Sequence, residues 1–490
     1  MIHLSFCRKN TLIFYKMCYC VWESGNYCIS LLFKKNCICM KKLIFAIALA
    51  MCSYMCVVAQ TIKFAGNARP VMEITPEKST GLNKIYVIYG TAGVSMSYEA
   101  TNPNASVKWY KYGAMGGGYA EEISGVARNG SVYTMAQVLP NSGYIIEEGD
   151  NRTYLWVVDY AGYRLSLSGI APAAQQDCGT IALEVAGSGD DITYTTINGV
   201  GKKLSREMKL SYNTLEWNTD DSEWKLKEVV ELYEGFKPSI HEQAPLCDTE
   251  FVLSGDRFLA FWGEEMTVSS PVYNTHAIDA RTAAEQTDRD VPNEKTEGDE
   301  NTLGGSAPAE ITFTAYPTDA VAQREWQLST DPEFGTVERS YTEDVYQETF
   351  NDAGTFYVRY TAKNADGSCD VTSDVYTVTI GESELVCPNA FSPQGSPGVN
   401  DEWRVQYKSL TSFRCWIFNR WGVQICELTD ASQGWDGKYK GKYVKPGTYY
   451  YVIQARGADG KDYNRKGDIN IINYNDMQSS GDSSGEGVME

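Results

Sequence analysis

Histidine is nearly missing from this chain. Of 490 residues only three are His, and beyond residue 59 only His241 and His276 remain. His241 sits in Ser239-Ile-His-Glu242 shortly before Pro245, and His276 opens an acidic stretch. Neither stands at metal-ligand spacing or beside a nucleophile, which argues against zinc sites and against Ser–His or Cys–His catalysis. A Gly-x-Ser-x-Gly elbow and a phosphate loop are also lacking, and Gly116-Gly117-Gly118-Tyr119 falls between expected strands. Past Met51 no apolar run approaches the roughly 20 residues of a membrane-spanning helix, so the exported chain is expected to be soluble. Positive charge is in short supply, with 43 Lys and Arg against 63 Asp and Glu and a net charge of −20. Such a chain does not seek nucleic-acid phosphates or anionic membranes.

What remains is β chemistry. Tyrosine is common, at 33 residues, and aromatic or β-branched runs alternate with turn residues along most of the chain. About 430 residues past the N-terminal stretch exceed one hydrophobic core, so several domains are expected. Residues 60–167 carry strand-like runs at Lys84–Tyr89, Val94–Tyr98, Val107–Tyr112 and Thr153–Tyr160. The last is apolar on both faces, which suits the middle of a sandwich. Their spacing resembles immunoglobulin-like modules, with Trp109 as the core tryptophan. Residues 168–270 form a second β-rich unit. Residues 271–306 turn to Thr, Ala, Asp, Glu, Asn and Gly and read as a flexible acidic linker, with a short helix around Ala280–Gln286. In residues 307–381 a Gly354-Thr-Phe-Tyr-Val-Arg-Tyr360 strand, an Asn364-Ala-Asp-Gly367 turn and a closing strand resemble the polycystic-kidney-disease type of Ig-like domain.

Residues 382–474 are the most specific part. Phe413–Phe418 and Val423–Leu428 flank Asn419-Arg420-Trp421-Gly422 and read as a hairpin whose glycine supplies positive φ. A symmetric turn sets Cys415 opposite Cys426, and a bulge makes the pair diagonal; a cross-strand disulfide and two buried thiols are both open. Pro388-Asn389-Ala-Phe391-Ser-Pro393, Asn400-Asp401, Phe418 with the hairpin turn, Gly434-Trp435-Asp436-Gly437, Pro446-Gly447 with Tyr449, and Gly467-Asp468 follow in order. This set resembles the gliding-motility-associated C-terminal domain, the type B sorting domain of the Bacteroidetes type IX secretion system. The resemblance implies passage by Sec and then by the type IX translocon. It also implies a recognition surface in this domain, with an outer-membrane barrel as docking partner. Family members commonly carry an acidic, calcium-type loop after the first motif. Here that loop is Gln394-Gly395-Ser396-Pro397-Gly398, too poor in oxygen ligands for a hard cation.

At the other end, Met40-Lys41-Lys42 precedes an apolar run to Met51, and Val57-Val58-Ala59 precedes Gln60. This is the layout of a secretory signal peptide at 40–59, cleaved between Ala59 and Gln60, with residues 1–39 an upstream translation artefact. Six cysteines follow: Cys178, Cys247, Cys369, Cys387, Cys415 and Cys426. An even number in an exported chain permits disulfides, and Cys178 and Cys247, near the ends of one unit, are a candidate pair. Residues 475–490 are Gly, Ser, Asp and Glu with little apolar, so disorder is expected.

The fold expected is all-β, with tandem Ig-like β-sandwich domains ending in a β-sandwich sorting domain. No cofactor, metal or nucleic-acid partner is expected, and the role read from the sequence is non-catalytic adhesion or structure at the cell surface. The surface ligand, protein or glycan, is left open. Two alternatives stand beside it. One is a secreted hydrolase or glycan-binding protein built from carboxylates and aromatics such as Tyr110, Tyr112 and Tyr119; the other is an accessory part of the surface secretion machinery. Adjacent carboxylates (Glu121-Glu122, Glu147-Glu148, Asp190-Asp191) point to opposite faces of a strand, whereas an acid/base pair must share a cleft.

Overall fold

The computed structural model describes residues 62–472 except 176, 296–301, 394, 396, 397 and 399. The signal-peptide segment, Ala59, Gln60 and the acidic tail therefore lie outside the described residues. The chain is built of β-sheets and falls into two units. One comprises the residues up to Tyr163 with Ile192–Lys203, and the other Arg164–Asp191 with the chain from Leu204 onward.

In the first unit a four-stranded sheet faces a six-stranded one. The four-stranded sheet runs in the order Ile62–Ala65, Ser95–Glu99, Val132–Met135, Ala127–Asn129. In the six-stranded sheet Asn151–Asp159 is an inner strand, parallel to Lys84–Ile88 and antiparallel to Ser142–Glu148. Leu155 and Val157 join Trp109, Tyr98 and Tyr144 in the core between the sheets. Trp156 and Val158 face the other way and are buried as well. Their face needs a second cover, and Ile192–Lys203 belongs to this unit to supply it: Ile192 and Tyr194 are buried, and Gly117 N–H donates to the Ile197 carbonyl (2.8 Å). The sequence places these residues in the following domain. They cross over because a strand apolar on both faces cannot leave one wet.

One carboxylate sits in this core region. Glu148, 6% exposed, accepts hydrogen bonds from Tyr98 Oη (2.6 Å), Thr101 Oγ1 (2.7 Å) and Asn102 N (2.8 Å). Burial opposes its ionisation, but these donors outweigh burial and hold its pKa at about 2, because hydrogen bonds to the charged form favour it.

The second unit contains three sandwiches. In the first, Ser166–Pro172, Thr180–Ser188 and Ser239–Gln243 face a sheet ordered Glu223–Tyr233, Met208–Asn218, Val252–Gly255, Met266–Ser269. A buried ion pair closes one end: Arg206 meets Asp256, which also caps the helix Arg257–Phe261 by accepting from Leu259 N. In the second, Ala280–Gln286, Ala309–Pro317 and Val345–Phe350 pack on a sheet centred on Gly354–Asn364, around fully buried Trp326. The third holds a five-stranded sheet ordered Ala390–Phe391, Asp462–Ile471, Gly447–Gly457, Leu410–Phe418, Gln424–Leu428.

Two readings are corrected here. The described residues of 271–306 are not a structureless linker, and Ala280–Gln286 is a strand rather than a helix, paired in full with Ala309–Pro317. Its alternating burial is carried by alanine and threonine, too small to register as hydrophobic periodicity. Farther on, the segment around Asn293 is built into the third sandwich. Asn293 Nδ2 donates to the carbonyls of Val405 and Ala431 (both 2.7 Å), and Lys295 N donates to Tyr407 O (2.7 Å). Beside it the Glu294 carboxylate, its side chain 1% exposed, accepts from Arg289 (2.8 Å) and Ser306 Oγ (2.5 Å). Second, Cys178 bonds Cys369, not Cys247, which is free. Cys178 precedes Thr180–Ser188 and Cys369 follows Gly354–Asn364, so the bond joins the first and second sandwiches of this unit. Of the two alternatives left open for Cys415 and Cys426, the structure has free thiols. A bulge between Ile417 and Phe418 sets Cys415 against Leu428 and Cys426 against Ile417, a diagonal arrangement whose Cα separation of about 7–8 Å exceeds disulfide reach.

Two predictions follow from these contacts. The disulfide spans 191 residues, so its loss should destabilise the unit by about 2–5 kcal/mol. Denaturant unfolding of Cys369→Ser against the parent, with and without reductant, measures this, and reductant should shift only the parent. Glu148 has a depressed folded-state pKa, so its contribution is complete above about pH 5 and is lost as pH falls towards 2. Glu148→Gln should remove roughly 2–3 kcal/mol at neutral pH and flatten the first unit's stability across that acid range, as read by thermal unfolding at stepped pH.

Candidate functional site

The motif residues of the C-terminal domain divide into a buried set that holds the domain together and an exposed set on its surface. Trp403 and Trp435 exchange backbone hydrogen bonds (2.9 and 3.0 Å) and are 0% and 2% exposed. Trp403 Nε1 donates to Pro388 O (2.7 Å), and Trp435 Nε1 donates to Lys438 O (3.0 Å). Phe391 and Tyr449 both pack on Trp435, with ring centroids 5.4 and 5.3 Å away. Ala390–Phe391 runs parallel to the last strand, and Asn470 N donates to Asn389 O (2.9 Å). Gly437 has φ +74°, and a Cβ there would come within 2.9 Å of Pro393, which ties that glycine to that proline. The Asp436 carboxylate is opposed by burial but held below its usual range by bonds from Lys438, whose ammonium lies 2.7 Å away.

The exposed set gathers at the hairpin tip. Asn419 Oδ1 accepts from Trp421 N (2.9 Å) and Val423 N (3.0 Å), and Gly422 closes the turn with φ +79°. Trp421 is thereby held 73% exposed, with the Arg420 guanidinium 4.4 Å from its ring centroid. An indole left in water on a rigid turn has no packing role. Behind the tip, register places Phe418 opposite Tyr450 and Trp416 opposite Val452, with Tyr450 47% and Val452 39% exposed. Arg414 with Glu427, and Lys466 and Asp468 of the neighbouring strand, border this face. Pro446 and Gly447 start the strand that carries Tyr449, and Gly467 sits opposite Tyr451.

A concavity of ≈ 620 Å³ opens on the same domain, lined by Pro388, Phe391, Asn400 and Asp401 of the motifs together with Arg404 and Asn293. Asp401 accepts from Gly398 N (2.5 Å), and Ser392 N donates to Asn400 O (2.9 Å). Gln394, Ser396 and Pro397 of this loop lie outside the described residues. Trp403 and Asn293 are the residues that sequence reasoning missed. Trp403 follows Asn400-Asp401 closely enough to have been grouped with them, whereas nothing local marks Asn293.

Of the three thiols of this domain Cys415 is buried, and Cys387 and Cys426 are partly buried. Burial pushes Cys415 above its ordinary range, and Cys387 and Cys426 beside it are raised as well. Thiols raised in this way are poor nucleophiles. Elsewhere the candidates for carbohydrate or acid/base chemistry do not converge. Tyr112 is buried against Trp156 (5.8 Å) while Tyr119 is 69% exposed. Glu121 and Glu122 lie on an exposed edge strand, and Glu147 pairs with Arg152 (2.6 Å). Among the described residues no group of three or more His, Cys, Asp or Glu side chains is arranged to hold a metal ion.

Two family models match the chain. That of the CHU_C type IX secretion signal domain matches residues 385–471, the segment that contains both tryptophans and the hairpin tip. The C-terminal domain is a type IX sorting domain. The sandwich upstream of residue 270 matches the fibronectin type III domain over residues 170–270, so the sorting domain follows Ig-like modules. No curated protein matches the chain. Among solved structures, it is 13% identical to a tetra-tandem repeat from the extending region of a large adhesion protein, covering 78% of this chain and 96% of that one, with TM-score 0.21. The fibronectin(III)-like modules of Clostridium thermocellum CbhA are 14% identical, covering 36% and 94%, with TM-score 0.16. A Ca2+-stabilized adhesin of an Antarctic bacterium is 12% identical, covering 79% and 95%, with TM-score 0.18.

The division of the motif is testable. Trp435→Ala should cost the sorting domain about 3–5 kcal/mol, whereas Trp421→Ala should change stability by no more than about 0.5 kcal/mol. Urea unfolding of the two variants, followed by circular dichroism, separates them.

Proposed function

We propose that the type IX translocon delivers this chain to the cell surface or the extracellular space, and that its β-sandwich modules act there as an adhesive or structural element without catalysis. The match of residues 385–471 to the secretion signal domain carries the reading. Such a domain points to export, and the sequence offers a signal peptide cleaved between Ala59 and Gln60 for the first membrane. The Arg420–Trp421 tip and the adjoining face of Trp416, Phe418, Tyr450 and Val452 are the contact surface for the machinery, with an outer-membrane barrel as its docking partner. Interfaces favour this composition, since Trp, Tyr and Arg anchor most hot spots. The fibronectin type III and Ig-like modules upstream present a ligand-binding surface to protein or glycan.

Protease shaving of intact cells tests this. The full chain should be removed from the surface, and a chain ending before Glu382 should stay protected in the periplasm. Arg420→Ala with Trp421→Ala should reduce surface display at least tenfold while the protein stays folded. Equal shaving of all three would overturn the assignment of the address to this domain.

A further inference from the structure

The strand Glu223–Tyr233 is the edge of its sheet. It pairs along its whole length with Met208–Asn218 and, on its other side, with no strand among the described residues. An edge of 11 residues presents a row of N–H and C=O groups that sheets ordinarily cover, shorten or twist away. One face of this edge is apolar and wet. Leu226, Val230 and Leu232 are 68%, 43% and 65% exposed, and Leu215 of the neighbouring strand stands opposite Leu226. The other face carries Lys225, Lys227 and Glu231 around Val229, with Lys227 also paired to Glu216 of the neighbouring strand.

We propose that this edge pairs antiparallel with the same strand of a second copy of the chain, about a two-fold axis through Val229. In a two-fold pairing of one strand with itself, the residue at the axis faces its own copy, and that choice sets every other pair. An axis between residues would oppose side chains from different faces, so only axes through residues are available. With the axis at Val229, Lys227 faces Glu231 twice, Leu226 faces Leu232 twice, Val229 faces itself, and the one mismatch is Glu228 against Val230. An axis at Glu228 sets two carboxylates against each other. At Lys227 it opposes two ammonium groups and sets Glu223 against Glu231, and at Leu226 it sets Lys225 against Lys227. An axis at Val230 sets Leu226 against Glu234 and Leu232 against Glu228. One register alone pairs both the charges and the leucines, and like charges directly opposite are what cross-strand pairing tolerates least. The partner is therefore a second copy, and the pairing continues two four-stranded sheets into one.

A charge-swap experiment on the purified full chain tests the register, with mass in solution as the readout. The parent should be a dimer at micromolar concentration. Lys227→Glu and Glu231→Lys should each weaken dimerisation at least tenfold while far-ultraviolet circular dichroism stays unchanged. An equimolar mixture of these two variants should recover the dimer, because the chain with two glutamates then meets the chain with two lysines. A monomeric parent at tens of micromolar would overturn the proposal. So would a dimer that both variants leave intact, or a mixture that stays monomeric while the parent dimerises.

Discussion

Trp403 and Trp435 bond to each other through their backbones and bury both indoles, and the C-terminal domain is arranged around that pair. A buried indole usually finds a partner for its N–H, and both of these do so on backbone carbonyls. The partner of Trp403 is Pro388, which pins the chain where it enters the domain. The ring of Trp435 then seats Phe391 and Tyr449. Sequence segments more than forty residues apart are thereby held in one layer. Because these residues supply the interior, the Asn419–Gly422 turn is released from packing and projects its tryptophan outward.

The same division between holding and presenting runs through the second unit. Its Ig-like sandwiches are joined by a disulfide and by Trp224 Nε1 donating to Tyr316 O (2.9 Å). The next junction is made by the Asn293 bonds and by the buried Glu294 carboxylate between Arg289 and Ser306. Both donors reach Glu294 Oε1, while its Oε2 is buried without a hydrogen-bond partner, so the ion pair with Arg289 offsets the burial of this charge only in part. The C-terminal domain is tied in this way to the module before it.

Local chemistry was legible in the chain. The Asn419–Gly422 hairpin, the Pro446-Gly447 strand start, the inner strand Asn151–Asp159 and the all-β class all follow from turn residues and alternating side chains, which act over a few positions. The strand Ala280–Gln286 was not legible, because its buried positions are small residues that gain their place only once Ala309–Pro317 lies beside them. Nor was Asn293, whose amide has meaning only against the carbonyls of Val405 and Ala431, more than a hundred residues away.

By itself, then, the sequence determined where most of the strands and turns fall, the all-β class, and the ordered motif set of the C-terminal domain that matches a type IX secretion signal domain. The tertiary structure decided which thiol pairs with Cys178, which strand Ile192–Lys203 covers, and which of the motif aromatics are interior and which meet solvent. The physical reason is the range of the interactions. Backbone preference and side-chain alternation are read within one element, whereas burial, disulfide geometry and cross-strand register exist only after distant segments have met.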